Sequence, residues 1–146
     1  TAAPQVFLAS LKADCCSIKI QVIGIEQDTD FIVQPWIEEG YKKKLEEMDV
    51  VVGTSVEAGV GEMIRIYDQR CKVVGRLAAT GTGLDTAVYC SMNTIRQMIL
   101  NAKELGFTKT YIPTEYTGLY EKYGYTYIRD IVNYGGDTDR LYAKEI

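Results

Sequence analysis

Short apolar runs alternate with polar turns along most of the chain, and this pattern predicts a fold built mainly from strands. Runs rich in β-branched residues cover residues 5–11, 18–25 and 50–56, and a polar turn around Asp14 separates the first two. The third run is almost continuously apolar, as is typical of a strand that is buried on both faces.

Residues 63–77 alternate apolar and polar positions on both sides of Asp68-Gln69. This alternation has the two-residue period of a strand, so it predicts a hairpin with one face towards the core and one towards solvent. A loop that contains Gly59 and Gly61 precedes the hairpin, and a glycine-containing stretch follows it directly.

The clearest helix signal lies in residues 93–106, where apolar side chains recur at helical spacing. Asn93 is placed to cap the start of this helix, and Gly106 is placed to take the left-handed conformation beyond its end. The apolar stripe is far more typical of a core-facing surface than of a binding groove. Its members are Ile95, Met98, Ile99, Ala102 and Leu105.

Pro35 should exclude a central strand around itself, and we expect it to open a short helix through Leu45. The sequence therefore predicts the α+β class, with a mixed sheet that contains hairpins and one main amphipathic helix. This fold would form a single compact domain or a hybrid of two partial domains. The remaining expected elements are strands at 88–92, 108–114, 125–134 and 140–146, and a short helix ended by Gly124.

The composition is that of a globular chain. Its 146 residues are 47% hydrophobic and 25% charged, which is enough apolar material for a buried core. The net charge is −4, and the longest basic run, residues 42–44, is followed at once by Glu46 and Glu47. Nucleic acid is therefore not an expected partner.

The chain begins with Thr1 and not with Met, so we expect it to be a piece of something longer, whose missing parts could include membrane helices. No stretch of the chain itself reaches the roughly 20 apolar residues that a membrane-spanning helix requires. The first residues also lack the charged-then-apolar order of a signal peptide.

The chain contains no His, which removes the commonest general base, the commonest metal ligand and every Ser-His or Cys-His pair. Its four cysteines lack the CxxC spacing of zinc sites, so buried thiols or a disulfide are favoured and no metal is expected. The adjacent pair does not decide between redox compartments. The four are Cys15, Cys16, Cys71 and Cys90.

Residues 75–89, GRLAATGTGLDTAVY, hold two glycines one residue apart, an arrangement that often cradles phosphate. A Walker loop would need Lys and a hydroxyl residue where Leu84-Asp85 stands, and a dinucleotide fingerprint would need a third glycine. Asp85 would also place a negative charge beside any bound phosphate. The motif therefore predicts neither nucleotide site. It consists of Thr80, Gly81, Thr82, Gly83, Leu84 and Asp85.

The same stretch, together with ASLKADCCSIKIQVIGIEQDTDFIVQPWIEEG and DVVVGTSV, resembles the extracytoplasmic domain of FtsX-like, MacB-type ABC transporter permeases. In those domains a vicinal cysteine pair, a strand ending in Ile-Gly, a Thr-Asp-Phe turn, a Pro-Trp and a Thr-Gly-Thr-Gly-Leu-Asp stretch occur in this order. The resemblance covers residues 4–103.

The resemblance implies a mixed α+β domain on the extracytoplasmic side of the cell membrane, between the first two transmembrane helices of a permease. Such domains do no chemistry and bind no cofactor; they relay motion from a cytoplasmic ATPase subunit to substrates or partner proteins outside. The expected partners are the rest of the permease, its ATPase subunit and an extracytoplasmic protein. In this interpretation Gly81 and Gly83 supply backbone angles closed to other residues, and Asp85 braces the turn.

The final segment, NAKELGFTKTYIPTEYTGLYEKYGYTYIRDIVNYGGDTDRLYAKEI, resembles the C-terminal part of GNAT-family N-acetyltransferases. By this resemblance Tyr120 matches the family's general acid, which protonates the departing coenzyme A thiolate. Acetyl-CoA would be the cofactor of this alternative, and its location would be cytoplasmic. From spacing alone, an aromatic that packs the short helix on the sheet is favoured for Tyr120.

The coenzyme A loop of that family has no good counterpart, because Arg76 lies five residues before Gly81 and Asp85 intervenes. The two resemblances meet near NAKELGFT, which predicts a hybrid chain: a permease-like segment at 1–103 and an acetyltransferase-like segment at 104–146. We therefore expect a non-catalytic transport or interaction module without acetyltransferase activity. An unrelated binding domain is a third hypothesis.

Overall fold

The computed structural model describes residues 2–3, 5–12, 14–40, 44–133 and 136–146. These residues form two compact units, Thr1–Ala102 and Lys103–Ile146, which we call unit 1 and unit 2. The predicted α+β class with a mixed sheet and one main helix is confirmed. The strands are β1 (Gln5–Lys12), β2 (Lys19–Ile25), β3 (Ile37–Gly40), β4 (Asp49–Val52), β5 (Met63–Ile66), β6 (Gln69–Leu77), β7 (Ala87–Ser91), β8 (Lys109–Thr114), β9 (Thr126–Val132) and β10 (Thr138–Glu145), and the helix is α1 (Met92–Glu104).

Unit 1 is built on one sheet of mixed direction with the strand order β1-β2-β7-β4-β6-β3, and β5 pairs with β6 beyond this path. The β2–β7 and β4–β6 pairs are parallel, whereas β1–β2, β4–β7, β3–β6 and β5–β6 are antiparallel. Because the parallel pairs need long connections, strands far apart in sequence meet at the centre of the sheet.

Strand β4 occupies the middle of this sheet and is buried on both faces. Val50 and Val52 belong to a core cluster that also includes residues of β2, β7 and α1. Val51 points the other way, into a second cluster that includes Tyr89 and Val33. The uninterrupted valine run in the sequence is the direct consequence of two apolar neighbourhoods on one strand. The strand is shorter than the predicted 50–56, because the chain turns at Gly53.

The predicted hairpin is confirmed as β5 and β6, and buried and exposed side chains alternate along both strands. The turn lies at Tyr67 and Asp68, whose φ angles are +48° and +61°. Two successive left-handed residues match the right-handed twist of the flanking strands, so this turn is compatible with tight pairing.

Helix α1 confirms the predicted helix but begins one residue earlier, at Met92. The expected cap at Asn93 is therefore wrong. The hydroxyl of Ser91 accepts a hydrogen bond from the backbone N–H of Thr94 at 3.2 Å, which is the contact of an N-cap residue. Leu105 is 52% exposed and lies outside the buried stripe, whereas Gly106 adopts the expected left-handed conformation with φ +91°.

The helix expected from Pro35 through Leu45 is also wrong. Pro35 opens only the 3-10 turn Gln34–Trp36, and the chain then forms β3. Pairing of β3 with the end of β6 supplies the hydrogen bonds that a helix would otherwise provide, so tertiary pairing overrides the local start signal. Part of that expected helix, residues 41–43, lies outside the described residues.

Unit 2 is a three-stranded antiparallel sheet in the order β8-β10-β9. The three predicted strands and the short helix are confirmed, the latter as the 3-10 turn Tyr120–Tyr123, ended by Gly124 in the left-handed conformation. Strand β9 ends at Val132, short of the predicted 125–134, and Tyr134 lies outside the described residues. The central strand β10 carries Tyr142, which is completely buried.

Candidate functional site

The Thr80–Asp85 motif forms a turn between β6 and β7 that is closed by one carboxylate. The Asp85 carboxylate accepts hydrogen bonds from the Thr80 backbone N–H at 2.9 Å, the Thr80 hydroxyl at 2.7 Å and the Gly81 backbone N–H at 2.9 Å. These donors, the Thr80 N–H foremost, hold the pKa of Asp85 below its ordinary value because they stabilise the charged form.

Thr82 caps the 3-10 turn Gly83–Thr86, because its hydroxyl accepts a hydrogen bond from the Leu84 backbone N–H at 3.2 Å. Gly81 has a φ of +70°, as expected of a position that favours glycine. The same expectation for Gly83 is wrong. Gly83 is not among the positive-φ glycines, and a Cβ built there would meet nothing within 4 Å.

The motif docks against the loop that follows β4. The Gly53 backbone N–H donates to the Ala87 carbonyl at 2.8 Å, and the Ser55 N–H donates to the Asp85 carbonyl at 2.8 Å. A Cβ at Gly53 would overlap the carbonyl oxygens of Leu84 and Asp85, so only glycine permits this approach. No local pattern predicts this contact, since its two sides are far apart along the chain.

Arg76 fastens the same loop from the other side. Its guanidinium donates to the carbonyl oxygens of Thr54 at 2.5 Å, Val56 at 3.0 Å and Ala58 at 2.8 Å. Arg76, the candidate counterpart of a coenzyme A loop residue, is thus engaged with backbone carbonyls. A basic residue followed by Leu-Ala-Ala carries no local signal for such a role.

Tyr89 completes the packing beneath the turn. Its hydroxyl donates to the Leu84 carbonyl at 3.2 Å, and its ring lies in the second core cluster. Burial raises the pKa of this phenol, and the nearby charges of Asp85 and Asp30 act in the same direction. The hydroxyl is therefore held neutral, as a donor to the turn and not as a base.

This geometry makes the motif a braced structural turn. Two backbone amides that would have to meet a phosphate, those of Thr80 and Gly81, already donate to Asp85. An incoming diphosphate would have to displace that carboxylate or lie beside its negative charge, and both cost free energy. Within the described ranges, no group of three or more His, Cys, Asp or Glu side chains is placed to hold a metal ion.

Tyr120 lies in unit 2, in a cluster of aromatic rings. Its ring centroid is 6.1 Å from that of Tyr125 and 6.0 Å from that of Tyr142. The Tyr142 hydroxyl donates to the Glu121 carboxylate at 2.8 Å. The described strands of unit 2 pair only in antiparallel fashion.

The four cysteines divide into two kinds. Cys15 and Cys16 form a vicinal disulfide at the turn between β1 and β2, which answers the question that spacing left open. Cys71 and Cys90 are buried free thiols in the first core cluster. Burial raises the pKa of Cys71 to about 11 and raises that of Cys90 as well, so neither is a thiolate at neutral pH.

One surface cavity of about 200 Å³ lies where the parallel strands β2 and β7 end and α1 begins. Open sheets often bind ligands at this position. The lining here carries charges of both signs, with Glu26, Asp28 and Glu47 beside Lys44 and Arg96. Such a lining does not single out a ligand charge.

No family model, no curated protein and no solved structure matches the chain. In the part of the chain that the structure describes, no helix is both long and apolar enough to cross a bilayer. The resemblances quoted from the sequence therefore stay predictions.

Proposed function

We propose that residues 1–103 act as the non-catalytic extracytoplasmic domain of an ABC transporter permease of the FtsX-like, MacB type. In this role the domain relays motion, driven by ATP hydrolysis on a cytoplasmic subunit, to partners or substrates outside the membrane. Residues 104–146 then form an appended acetyltransferase-like segment without a coenzyme site.

The observation that carries the proposal is that the backbone amides of Thr80 and Gly81 already donate to the chain's own Asp85 carboxylate. Amides that already donate within the turn are not free to bind phosphate, and their hydrogen bonds add rigidity to the turn. This chemistry suits a mechanical element and is unsuited to nucleotide or coenzyme binding.

A mechanical role needs connections that move together. The turn holds the loop after β4 through Gly53 and Ser55, and that loop is held to β6 through Arg76. Three segments of unit 1 are thus cross-linked at one end of the sheet. In the proposed role, a displacement applied there would pass to the central strand β4 because the three segments are held together by hydrogen bonds.

The coding sequence that flanks this chain in its native genome tests the proposal. We expect transmembrane segments on both sides of the permease-like segment and a neighbouring gene for an ATPase subunit. A native reading frame without transmembrane segments, and without a neighbouring gene for an ATPase subunit, would overturn the assignment. Co-purification of the full-length membrane protein with that ATPase subunit would provide the corresponding biochemical evidence.

The alternative, a GNAT enzyme that uses Tyr120 as general acid, is tested separately. We expect no acetyl transfer to amine substrates and no thermal stabilisation by acetyl-CoA, because no diphosphate site is free at the turn. Tyr120→Phe serves as the control: turnover that this variant abolishes would establish the enzyme and overturn the proposal.

A further inference from the structure

Two large apolar side chains of unit 1 are exposed on one short segment. Phe31 is 55% exposed and Trp36 is 44% exposed, although both lie among residues that the core buries, such as Val33 and Ile37. Exposed aromatic residues of this size are typical anchors of protein interfaces, because they bury much area at little cost in side-chain entropy.

The segment that carries them is held rigidly. The Asp30 carboxylate accepts hydrogen bonds from the backbone N–H groups of Ile32 at 3.2 Å, Val33 at 3.1 Å and Gln34 at 2.9 Å. The Trp36 carbonyl accepts a further bond, from the Ala78 N–H at 2.8 Å. An anchor on a fixed backbone loses little freedom when it binds, which favours affinity.

Strand β3 follows directly and is the last strand of the sheet path, paired with β6 alone among the described strands. Its free edge presents backbone donors and acceptors to an added strand. The exposed side chains along it are Glu38 and Glu39. Residues 26–40 contain five acidic residues and no Lys or Arg, and the basic run 42–44 follows this window.

We propose that this acidic aromatic edge, formed by Trp36, Glu38 and Glu39, binds an extended segment of a partner protein rich in arginine and lysine. The backbone of that segment adds to β3, its basic side chains meet the glutamates, and one of its guanidinium groups stacks on the ring of Trp36. The inference rests on the proposed function in one respect only, namely that the partner is a protein. The chemistry of the edge is independent of the permease assignment.

Trp36 is the only tryptophan of the chain, so its fluorescence reports occupancy of this edge directly. The probe is a short peptide in which arginine alternates with valine, titrated into the full chain at low salt. We expect a saturable shift of Trp36 emission that weakens as salt is raised. The same peptide with glutamate in place of arginine should produce no shift.

Variants localise the binding, with a labelled peptide replacing intrinsic fluorescence. Trp36→Ala should raise the Kd about tenfold or more, and Trp36→Phe should restore part of the affinity. Glu38→Lys/Glu39→Lys should abolish binding. Glu104→Lys/Glu115→Lys, which changes the net charge equally in unit 2, should leave binding unchanged. Circular dichroism of each variant establishes that it is folded.

Three results would overturn the inference: equal binding of the basic and acidic peptides, no binding of either, or self-association of the chain that Trp36→Ala removes. In the second case Glu38 and Glu39 would serve only to keep other strands away from an exposed edge. None of these results bears on the flanking genes, so failure here is distinguishable from failure of the permease assignment.

Discussion

The two units stabilise their sheets by different means. Unit 1 encloses a central strand in two apolar clusters, with Val50 and Val52 facing one and Val51 the other. In unit 2 the ring of Tyr142, on the central strand, packs against the ring of Tyr127, and its hydroxyl donates a hydrogen bond to Glu121. The Arg140 guanidinium carbon lies 4.4 Å from the centroid of the Tyr127 ring. A sheet with two apolar faces is stabilised by burial, whereas a small sheet without them relies on directional contacts.

The largest expected difference between the units lies in the exchange of backbone amide hydrogens. The hydrogen-bonded amides of β4 and β7 should exchange orders of magnitude more slowly than those of β9, because β4 and β7 open only when the core of unit 1 unfolds. Hydrogen exchange followed by mass spectrometry of the intact chain measures this. Equal protection of β9 would show that the two units unfold together.

The next largest effect on stability is expected from a methyl group at Gly53, where the loop after β4 contacts the Thr80–Asp85 turn. Gly53→Ala should lower the free energy of unfolding by about 3 kcal/mol, because the added Cβ overlaps two backbone carbonyls that cannot move independently. Gly83→Ala is the matched control. Its Cβ meets open space, so its unfolding midpoint in urea should stay close to that of the wild type.

A smaller, pH-dependent effect is expected for the carboxylate that braces unit 1. The folded-state pKa of Asp85 is lowered by its hydrogen bonds with Thr80 and Gly81, so the stabilisation is present above the unfolded-state pKa and is lost as pH falls through the folded-state value. Asp85→Asn should therefore be less stable than the wild type at neutral pH, and the two should converge in acid.

The control for that experiment is Asp28→Asn, since Asp28 is exposed. Its unfolding curves should follow those of the wild type at every pH. A constant difference between Asp85→Asn and the wild type from neutral to acidic pH would show that the charge of Asp85 does not brace the turn.

The smallest expected effect concerns the corresponding carboxylate of unit 2. Hydrogen bonds from the backbone N–H of Glu121 itself and from the Tyr142 hydroxyl lower the pKa of Glu121. Tyr142→Phe removes one donor, so the Glu121 pKa should rise towards its ordinary value. The free energy of unfolding should then fall slightly at pH values above that ordinary pKa. Thermal unfolding at several pH values measures the change. Tyr123→Phe is the control, because its ring is 64% exposed, and it should leave the unfolding temperature unchanged.

The sequence pattern correctly predicted those elements whose conformation is decided by residues close together in the chain. The β5–β6 hairpin follows from alternation, and α1 follows from helical periodicity, because neighbours along the chain decide both. The helix expected after Pro35 failed because pairing with β6, far along the chain, decides the conformation of Ile37–Gly40. The N-cap is Ser91 and not Asn93, two residues before the predicted position, because the helix begins at Met92.

The candidate site was predictable only in part for the same reason. The bracing carboxylate Asp85 lies within five residues of its donors, so its role could be inferred from the turn alone. Gly53 and Arg76 fasten that turn across the sheet, and neither carries a local signal. The pairing of Cys15 with Cys16, in contrast to the free Cys71 and Cys90, likewise could not be predicted from the spacing of the cysteines.

The parallel pairing of β2 with β7 sets the order in which unit 1 can assemble. Ile23 lies beside Tyr89, so a strand made early in synthesis must wait for most of the unit to emerge before it gains its neighbour. Only the adjacent hairpins can form first, and the central sheet closes late. We therefore expect unit 1 to fold slowly, because its strand order requires contacts between distant parts of the chain.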